Sequence, residues 1–323
     1  MEFKLKKISG DASFREFYKI EKKTNISILV RSSKDKFKNL IVYAAVNDLL
    51  RRNKIRAPKL INQFFNQEMM EIENLGDHSF SEIIRKKKNK LSLYKKIVNI
   101  LIKIQKINLK KKIKYKKYKI EFSEYNLSEL HKETDIFFEW YLKNNCSKKN
   151  FLRLKKKIKK ELNDLYKKLY FKNNCFVHRD FHADNIMVKN KTLGIIDSQD
   201  AIKGNLLYDV ASLVDDVRIK TNNNFKTSLL KYYLTKTKKI KEKEYVMAKQ
   251  DLSILSIQRN LKILGIFVRL YKRDGKINYL KFLPHTWKLI ELRMNNEIFN
   301  NLKKLLDYAV PKKNRNKMNF NAN

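Results

Sequence analysis

The chain has 323 residues, with 74 Lys and Arg against 33 Asp and Glu, which gives a formal net charge of +41. Its 43% of hydrophobic residues can form a large core, and its 6 Gly and 3 Pro exclude collagen-like and Gly/Pro-rich linker architectures. Cys146 and Cys175 stand far apart without a CxxC partner, which indicates neither a disulfide framework nor a zinc site. The sequence has no apolar run of transmembrane length and no signal-peptide core, so we expect a cytoplasmic globular protein.

The excess of basic residues has two interpretations. Dense Lys and Arg are typical of nucleic-acid-binding proteins, because they neutralise phosphates. Alternatively, the excess is compositional drift, since Lys, Asn and Ile are abundant together and the basic residues are spread along the whole chain. We favour drift and expect nucleic acid to bind only non-specifically, through charge.

The N-terminal region, residues 1–75, is predicted to be β-rich with a single helix. Asn74-Leu75-Gly76-Asp77 then breaks the pattern. The predicted order is β-β-β-α-β-β, with strands at Lys4–Ile8, Phe14–Ile20 and Asn25–Arg31, a helix at Lys38–Arg52, and strands at Leu60–Phe65 and Met69–Glu73.

After Gly76, apolar residues at helical spacing predominate. One clear strand signal remains in this half, at Gly194–Asp197. The run Lys110–Lys119 is rich in Lys and Tyr, and we interpret it as a solvated connection rather than a nucleic-acid patch. The predicted helices are His78–Lys87, Ser92–Leu109, Ser128–Asn144, Phe151–Phe171, Asn205–Lys220, Phe225–Lys236, Glu242–Tyr271 and His285–Ala309.

One segment of this half carries a recognisable chemical pattern. Residues 177–188 read VHRDFHADNIMV, and Asp197 ends an apolar strand nine residues later. HRD followed by four residues and Asn is the pattern of a kinase catalytic loop. Together with the downstream Asp and the β-rich region upstream, it predicts phosphoryl transfer.

Phosphoryl transfer needs few protein groups. A carboxylate must orient and deprotonate the attacking hydroxyl, and Asp180 suits that role. Oxygen ligands must hold Mg²⁺ against the nucleotide phosphates. Asn185, at the other end of the same loop, and Asp197, returned by a short hairpin, suit this second role. An amide ligand binds magnesium without adding negative charge beside the phosphates.

The other polar residues of the loop are assigned to its scaffold. We interpret His178 as a histidine that holds the loop, because Asp180 is better placed to act as the base. His182 and Asp184 are interpreted as loop residues, because the set lacks a zinc-like ligand spacing. Asp180 itself lies in an apolar run, where a carboxylate without a partner would be costly.

The stretches HRDFHADNIM and IIDSQDAIKGNLLYDVASLVDD resemble the aminoglycoside/choline phosphotransferase superfamily. Within it, the chain is similar to the cell-wall-recycling kinases that phosphorylate the anomeric hydroxyl of N-acetylmuramate and N-acetylglucosamine. Four further stretches carry that narrower resemblance: GDASFREFYKI, MEIENLGDHSF, DIFFEWY and QRNLKILGIFVRLYKRDGKINYLKFLP. The resemblance covers nearly the entire chain. It implies an α+β, bilobal protein-kinase-like fold, with an N-lobe at residues 1–75 and a mainly helical C-lobe at residues 76–323.

The resemblance also implies roles for single residues. A loop over the nucleotide phosphates would consist of Gly10, Asp11, Ala12 and Ser13. A hinge at Glu71–Asn74, including Glu71 and Glu73, would bind adenine through backbone groups. Supporting roles would fall to His178, Arg179, Asp200 and Asp209, with Asp209 as a buried structural acid and Asp200 beside the site or the substrate.

Two departures from the kinase pattern concern the phosphate contact. The third strand reads ISILVRSS, so Arg31 is the nearby cation where a lysine is usual. The helix Lys38–Arg52 has no Glu to pair with such a cation, and Asp48 is its single acid. The amino-sugar kinase subgroup lacks the usual lysine as well, so the departure favours that subgroup.

Substrate contacts are predicted on two helical segments. Trp140 could form an apolar platform for a sugar ring, or it could be an ordinary core aromatic. Arg259 and Lys262 share one face of a long helix and could bind a lactyl carboxylate, or they could face solvent. Arg269 and Arg273 continue the basic series on the same helix or just after it.

The sequence therefore predicts a monomeric, ATP- and Mg²⁺-dependent phosphotransferase that acts on a small molecule and has no membrane partner. The favoured acceptor is the anomeric hydroxyl of N-acetylmuramate or N-acetylglucosamine. One alternative is a kinase for another alcohol or amine, such as an aminoglycoside, choline or a homoserine-like compound. An alternative of another class is a degenerate kinase fold that serves as a basic RNA-binding or scaffold protein.

Overall fold

The computed structural model describes residues 4–8, 15–22, 25–33, 38–239 and 241–315. Within these ranges, the strands before residue 75 form an antiparallel sheet in the order β1-β2-β3-β5-β4. The predicted β-β-β-α-β-β order is confirmed, with shifts of a few residues at the ends. The elements are β1 (Lys4–Ile8), β2 (Glu16–Glu21), β3 (Ile26–Arg31), α1 (Lys38–Arg52), β4 (Leu60–Phe64) and β5 (Met69–Glu73).

The sequence pattern explains these elements. In α1, Leu40, Ile41, Ala44 and Ala45 are buried at helical spacing, which gives the helix one continuous apolar face. β5 lies between β3 and β4, and its middle residues are buried, as expected for a central strand with neighbours on both sides.

The remainder of the chain is mainly helical, which confirms the α+β class. The helices are α2 (Phe80–Arg85), α3 (Leu91–Gln105), α4 (Leu127–Ile136), α5 (Lys148–Tyr166), α6 (Tyr208–Val214), α7 (Asn223–Lys236), α8 (Glu242–Asp274), α9 (Leu283–Arg293), α10 (Asn300–Ala309) and α11 (Lys312–Arg315). The strands are β6 (His78–Ser79), β7 (Lys112–Tyr115), β8 (Tyr118–Glu121), β9 (Asn173–Val177), β10 (Ile186–Lys189), β11 (Thr192–Ile195) and β12 (Ile202–Asn205). They pair as β11-β10-β6, β9-β12 and β7-β8.

The chain divides into two compact units. The first unit contains residues 1–123 and 175–203, and the second contains residues 124–174 and 204–323. The lobe boundary predicted between residues 75 and 76 stays a prediction. The β10–β11 hairpin pairs with β6, which follows the N-terminal sheet in the sequence. The segment after β9 therefore belongs to the first unit.

The strand predicted at Gly194–Asp197 overlaps β11, but the described part of this half contains further strands that were not predicted. The Lys/Tyr-rich run interpreted as a solvated connection is largely a hairpin, in which β7 and β8 pair from Lys112 opposite Glu121 to Tyr115 opposite Tyr118. Its turn contains Lys116 with a φ of 52°, a left-handed conformation usually supplied by Gly or Asn. Because the turn lacks these residues, the usual hairpin signal is missing from the sequence.

The predicted single helix His285–Ala309 is also wrong. Two helices, α9 and α10, occupy this region and are separated by residues 294–299. The side chain of Asn296 accepts a hydrogen bond from the Ile298 amide at 3.1 Å and starts a new short helical turn. Asparagine side chains often compete in this way with a continuing helix.

In the second unit, the long helix α8 approaches the backbone that follows α4. There the chain becomes a π-helix over Phe137–Leu142. A Cβ atom placed on Gly265 of α8 would lie 2.3 Å from the carbonyl oxygen of Ile136, closer than any real contact. Gly265 is therefore required for this close packing of α8 against α4.

The helices of the described ranges include none that is both long and apolar enough to cross a membrane.

Candidate active site

The HRD segment forms a short loop between two strands of the chain. It follows β9, passes through a 3₁₀ turn at Ala183–Asn185 and enters β10. β10 pairs with β11, so the chain returns beside its own starting point. As a result, the Ile196 amide donates to the Asn185 carbonyl at 3.0 Å, and Asp197 follows directly beside the end of the loop.

Hydrogen bonds within the loop hold the backbone of Asp180. Its carbonyl accepts from the His182 amide and from the side-chain nitrogen of Asn185, both at 3.0 Å. Since the nitrogen of the Asn185 amide is directed into the loop, its oxygen is the atom left for a cation. The Asp180 side chain is half-buried. The loop therefore presents one carboxylate and one amide oxygen with their backbones fixed.

His178 serves as an internal brace of this loop. It is fully buried, and its Nε2 donates to the Ile196 carbonyl at 3.1 Å while its Nδ1 accepts from the Asp180 amide at 3.3 Å. These two bonds require a neutral ring with the proton on Nε2. Burial lowers the pKa of His178, although the nearby carboxylates of Asp180 and Asp197 oppose the shift. The scaffold role of His178 stays a prediction.

Two non-glycine residues at the site have a left-handed backbone. The φ angle is 74° at Arg179 and 63° at Asp197. Such conformations cost free energy, and they persist where the surrounding contacts hold them. Arg179 lies within the HRD segment, and Asp197 follows β11.

Asp197 is bound by an arginine that the sequence interpretation did not single out. Nη2 of Arg15, just before β2, forms an ion pair with Oδ1 of Asp197, and its Nη1 donates to Oε1 of Gln199 at 2.9 Å. The Arg15 side chain is 4% exposed, whereas that of Asp197 is 31% exposed. The cation is thus buried while its carboxylate partner still reaches the surface.

Helix α1 holds the same segment from another direction. Oγ of Ser198 donates to Oδ1 of Asn47 at 2.7 Å, and the Asp197 amide contacts the hydroxyl of Tyr43 at 3.5 Å. Asp48 instead forms a surface pair with Arg52 at 2.7 Å. The helix that usually carries a Glu for the strand lysine here carries neutral side chains, which contact the segment after β11.

The residues predicted to contact the nucleotide phosphates lie only partly within the described ranges. Residues 10–13 (Gly10, Asp11, Ala12 and Ser13) lie outside the described ranges. Arg31, at the end of β3, is exposed and stands opposite Glu16 of β2. It is separated in the chain from the buried Arg15 by the whole β2–β3 hairpin.

The predicted hinge residues are engaged in the sheet. Glu71 is buried; burial raises its pKa, but hydrogen bonds from Ser27, Asn62 and Lys22 outweigh burial and lower it. The Glu73 amide donates to the Lys59 carbonyl at 2.9 Å, so it is not available to adenine. The role of Glu71 and Glu73 as hinge residues stays a prediction.

The two remaining acids predicted as supports differ in exposure. Asp200 is exposed, and its carboxylate accepts from the Gln199 side chain at 3.0 Å. Asp209 is fully buried near the start of α6 in the second unit. Burial fits a structural acid, and a direct role of Asp209 in supporting the catalytic loop stays a prediction.

The substrate candidates lie in the second unit and have distinct surroundings. Lys262 forms an ion pair with the buried Glu133 at 2.7 Å. Arg259 is 3% exposed, and its Nη1 has no hydrogen-bond partner among the residues that the structure describes. Trp140, in the π-helix, is half-buried, whereas Trp287 is fully buried. Trp140 therefore retains a surface that a core aromatic would lack.

The donor set at the loop fits magnesium. Mg²⁺ prefers oxygen ligands and is usually held by one or two carboxylates together with substrate phosphates. Asn185 and Asp197 offer an amide oxygen and a partly exposed carboxylate. Across the described ranges, no group of three or more His, Cys, Asp or Glu residues could hold a metal. Magnesium at this loop would therefore depend on oxygens that the nucleotide brings.

Comparison with known proteins agrees with this geometry. The family model described as "Phosphotransferase enzyme family" matches residues 4–243, which is most of the chain. The chain belongs to this phosphotransferase family. It is therefore a small-molecule kinase, and the family implies use of a nucleotide such as ATP.

Two curated relatives have the same name, N-acetylmuramate/N-acetylglucosamine kinase. The protein from Neisseria meningitidis is 22% identical over 88% of this chain and 83% of its own length. The protein from Pseudomonas aeruginosa is 24% identical over 88% of this chain and 81% of its own length. Among solved structures, an ADP-bound aminoglycoside phosphotransferase covers 89% of this chain and 92% of its own, with 15% identity and a TM-score of 0.60. This likeness confirms the predicted kinase-like fold.

Sequence reasoning missed Arg15, Gln199, Tyr43 and Asn47. Arg15 belongs to the stretch GDASFREFYKI that carried part of the family resemblance, but a single arginine among 74 basic residues has no distinguishing local pattern. The available signal was the absence of a lysine on β3, which left the phosphate contact open.

Proposed function

We propose that this phosphotransferase uses ATP and Mg²⁺ to phosphorylate the anomeric hydroxyl of N-acetylmuramate or N-acetylglucosamine, a step of peptidoglycan recycling. The observation that carries the chemistry is the loop in which Asp180 and Asn185 are fixed beside Asp197. The preference for an amino sugar is supported by the names of the curated relatives, which align over most of this chain.

Asp180 is the proposed catalytic base. Its backbone is held by hydrogen bonds to His178, His182 and Asn185. Because the backbone position is fixed, the carboxylate can orient an acceptor hydroxyl. It would accept the proton of that hydroxyl as the oxygen attacks the γ-phosphate. Positioning of this kind accounts for much of the catalysis in phosphoryl transfer.

Asn185 and Asp197 are the proposed magnesium ligands. When bound, magnesium neutralises charge on the nucleotide phosphates. Asp197 would contribute a carboxylate oxygen and Asn185 the amide oxygen that its loop hydrogen bond leaves available. Such a site would hold the nucleotide phosphates in a fixed position relative to Asp180.

Arg259 is the proposed contact for the lactyl carboxylate of N-acetylmuramate. A buried guanidinium with an unsatisfied nitrogen has a strong requirement for an anion. Lys262 is less suited to this task because Glu133 already neutralises it. The two sugars form a matched pair, since N-acetylglucosamine lacks the lactyl group. We expect Arg259→Gln to raise KM for N-acetylmuramate roughly tenfold or more, with a smaller change for N-acetylglucosamine.

An equal rise in KM for both sugars would remove Arg259 from lactyl recognition. Lys262→Gln is the comparison variant, and its thermal stability must be measured beside its kinetics because it removes the cation paired with the buried Glu133.

The acceptor is tested by coupled detection of ADP release. Mg·ATP is combined with N-acetylmuramate, N-acetylglucosamine, an aminoglycoside panel, choline or homoserine, each alone. Turnover with an N-acetylated amino sugar, absent in Asp180→Ala, is the expected result. Turnover only with an aminoglycoside, choline or homoserine would replace the proposed acceptor. ATP binding without turnover on any acceptor would point to another hydroxyl substrate.

A further inference from the structure

The segment that follows β11 is clamped by one buried arginine. Arg15 uses its two terminal nitrogens on two residues of the same segment, Asp197 and Gln199. Residue 15 and residue 197 are 182 positions apart in the chain, so this clamp is a tertiary contact. It acts on the residue that we propose as a magnesium ligand and that has a left-handed backbone.

The guanidinium of Arg15 is held in place by aromatic rings. Its carbon lies 5.3 Å from the ring centroid of Tyr43 and 5.6 Å from that of Phe17. At 4% exposure it is largely removed from water, and anionic partners stabilise a buried guanidinium. Asp197 supplies such a partner in this structure.

Asp197 has a conflict of partners in the proposed reaction. Its Oδ1 is engaged by Nη2 of Arg15, yet an oxygen of the same carboxylate must coordinate magnesium. Once Asp197 shares its charge with a divalent cation, its attraction for Arg15 falls, and Nη2 of Arg15 can bind a further anion. A nucleotide phosphate would supply such an anion, because phosphate oxygens form charged hydrogen bonds with arginine.

We infer that Arg15 is the phosphate-binding cation that β3 lacks. Before nucleotide binding, Arg15 holds Asp197 and Gln199; in the Mg·nucleotide complex, its Nη2 transfers from Asp197 to a phosphate oxygen. Nη1 remains on Gln199 and keeps the guanidinium plane fixed during the exchange. This inference rests on the proposed use of Mg·ATP and assigns Arg15 as the residue that binds its phosphates.

The exposed Arg31 is the rival for this role. It lies on β3, where the sequence predicts the phosphate contact, but it faces solvent opposite Glu16. An exposed charge is screened by water and salt, whereas a buried one interacts strongly with a bound anion. Replacing each arginine by glutamine should therefore change nucleotide affinity to a different extent.

The test is equilibrium binding of ATP, ADP and adenosine to the full chain, with and without Mg²⁺, for the wild type, Arg15→Gln, Arg15→Lys and Arg31→Gln. We expect Arg15→Gln to weaken ATP and ADP binding by roughly ten- to a hundredfold, the range for a charged hydrogen bond. Adenosine affinity should be unchanged. Arg15→Lys should recover part of the loss, and Arg31→Gln should have a smaller effect.

Lys7→Gln is the matched control, because it removes an exposed cation that pairs with Glu16 in the same sheet. Thermal unfolding of every variant identifies loss of folding. If Arg15→Gln is unfolded, its adenosine binding falls too, and the nucleotide affinities of Arg15→Lys then test the inference. Wild-type affinities of Arg15→Gln for ATP and ADP would overturn the inference, as would a larger loss in Arg31→Gln. Absence of nucleotide binding in the wild type would instead overturn the proposed function.

Discussion

Asp197 and Asp215 are both held by basic side chains, but their surroundings differ. In the first unit, Asp197 pairs with Arg15 and keeps 31% of its side chain exposed. In the second unit, Asp215 pairs with Lys226 at 2.8 Å and Arg293 at 2.7 Å, and its side chain is 1% exposed. The first carboxylate has an open side, whereas the second is enclosed.

The enclosed site has all the features of a structural ion pair. Besides its two cations, Asp215 accepts a hydrogen bond from Oγ of Ser256 at 2.6 Å. Burial alone would raise the pKa of Asp215, but Arg293 and Lys226 outweigh burial and hold the pKa well below its ordinary range. A carboxylate with every oxygen engaged by protein groups cannot accept a ligand without the loss of those bonds.

Whether a paired carboxylate can bind a ligand depends on whether one of its sides is open to solvent. A carboxylate with a buried cation on one side and solvent on the other can exchange its partner for a metal ion. A carboxylate enclosed by two cations stabilises the fold, provided that none of the partners is removed. Substitutions at the two sites should therefore separate activity from stability.

The largest effect on turnover is expected at Asp180, which lies in the loop beside Asp197. Asp180→Ala should lower kcat by roughly a hundred- to ten-thousandfold, the range for loss of a general base, while nucleotide affinity stays near that of the wild type. Coupled ADP detection and a nucleotide titration measure the two quantities. Asp48→Asn, which removes a surface acid from α1, is the control. Near-normal turnover of Asp180→Ala would remove this residue from the reaction.

The largest effect on stability is expected at Asp215. Asp215→Asn leaves Lys226 and Arg293 without their buried counter-charge and should reduce the free energy of unfolding by about 3–5 kcal/mol. Urea unfolding at neutral pH measures it, with Asp197→Asn as the matched variant, which should lose less because it removes one ion pair from a partly exposed carboxylate, whereas Asp215→Asn removes two from an enclosed one. If both variants lost the same stability, the contrast between an open and an enclosed carboxylate would be wrong.

Asp197→Asn should instead change metal-dependent binding. Removal of the charge from the open carboxylate should weaken Mg·ADP binding by roughly ten- to a hundredfold, and it should reduce the increase in ADP affinity that Mg²⁺ causes. A titration of ADP at several magnesium concentrations measures this change. Asp215→Asn, studied at a temperature where it remains folded, should retain the magnesium response. An unaltered magnesium titration of Asp197→Asn would contradict its role as a ligand.

The smallest effect is a dependence of stability on acid pH. The pKa of Asp215 is lower in the folded state than the unfolded value of roughly 3.9. Its contribution to stability is therefore complete above that value and is lost progressively as the pH falls below it. The difference in free energy of unfolding between the wild type and Asp215→Asn should shrink between about pH 4 and pH 3. A difference that stayed constant over this range would show that the carboxylate does not titrate as inferred.

Much of the fold was predictable because its signals are local. The strands β1, β3 and β5 and the helix α1 carry alternating or helical apolar patterns that are visible without any partner. The β7–β8 hairpin was missed because its turn contains Lys116 rather than Gly or Asn. The break between α9 and α10 was missed because it depends on the cap formed by Asn296.

The sequence by itself determined the catalytic-loop pattern of Asp180 and Asn185, the position of Asp197 and the family resemblance, because these follow from residue types at short spacing. Only the tertiary structure decided which of the many cations is buried against Asp197, because Arg15 and Asp197 meet through sheet pairing and packing across 182 positions of the chain. It likewise decided that Lys262 is neutralised by Glu133 while Arg259 is buried with a nitrogen that has no partner in the described part of the chain. Charge alone cannot distinguish such residues, since their function depends on burial and on the partner that each one reaches.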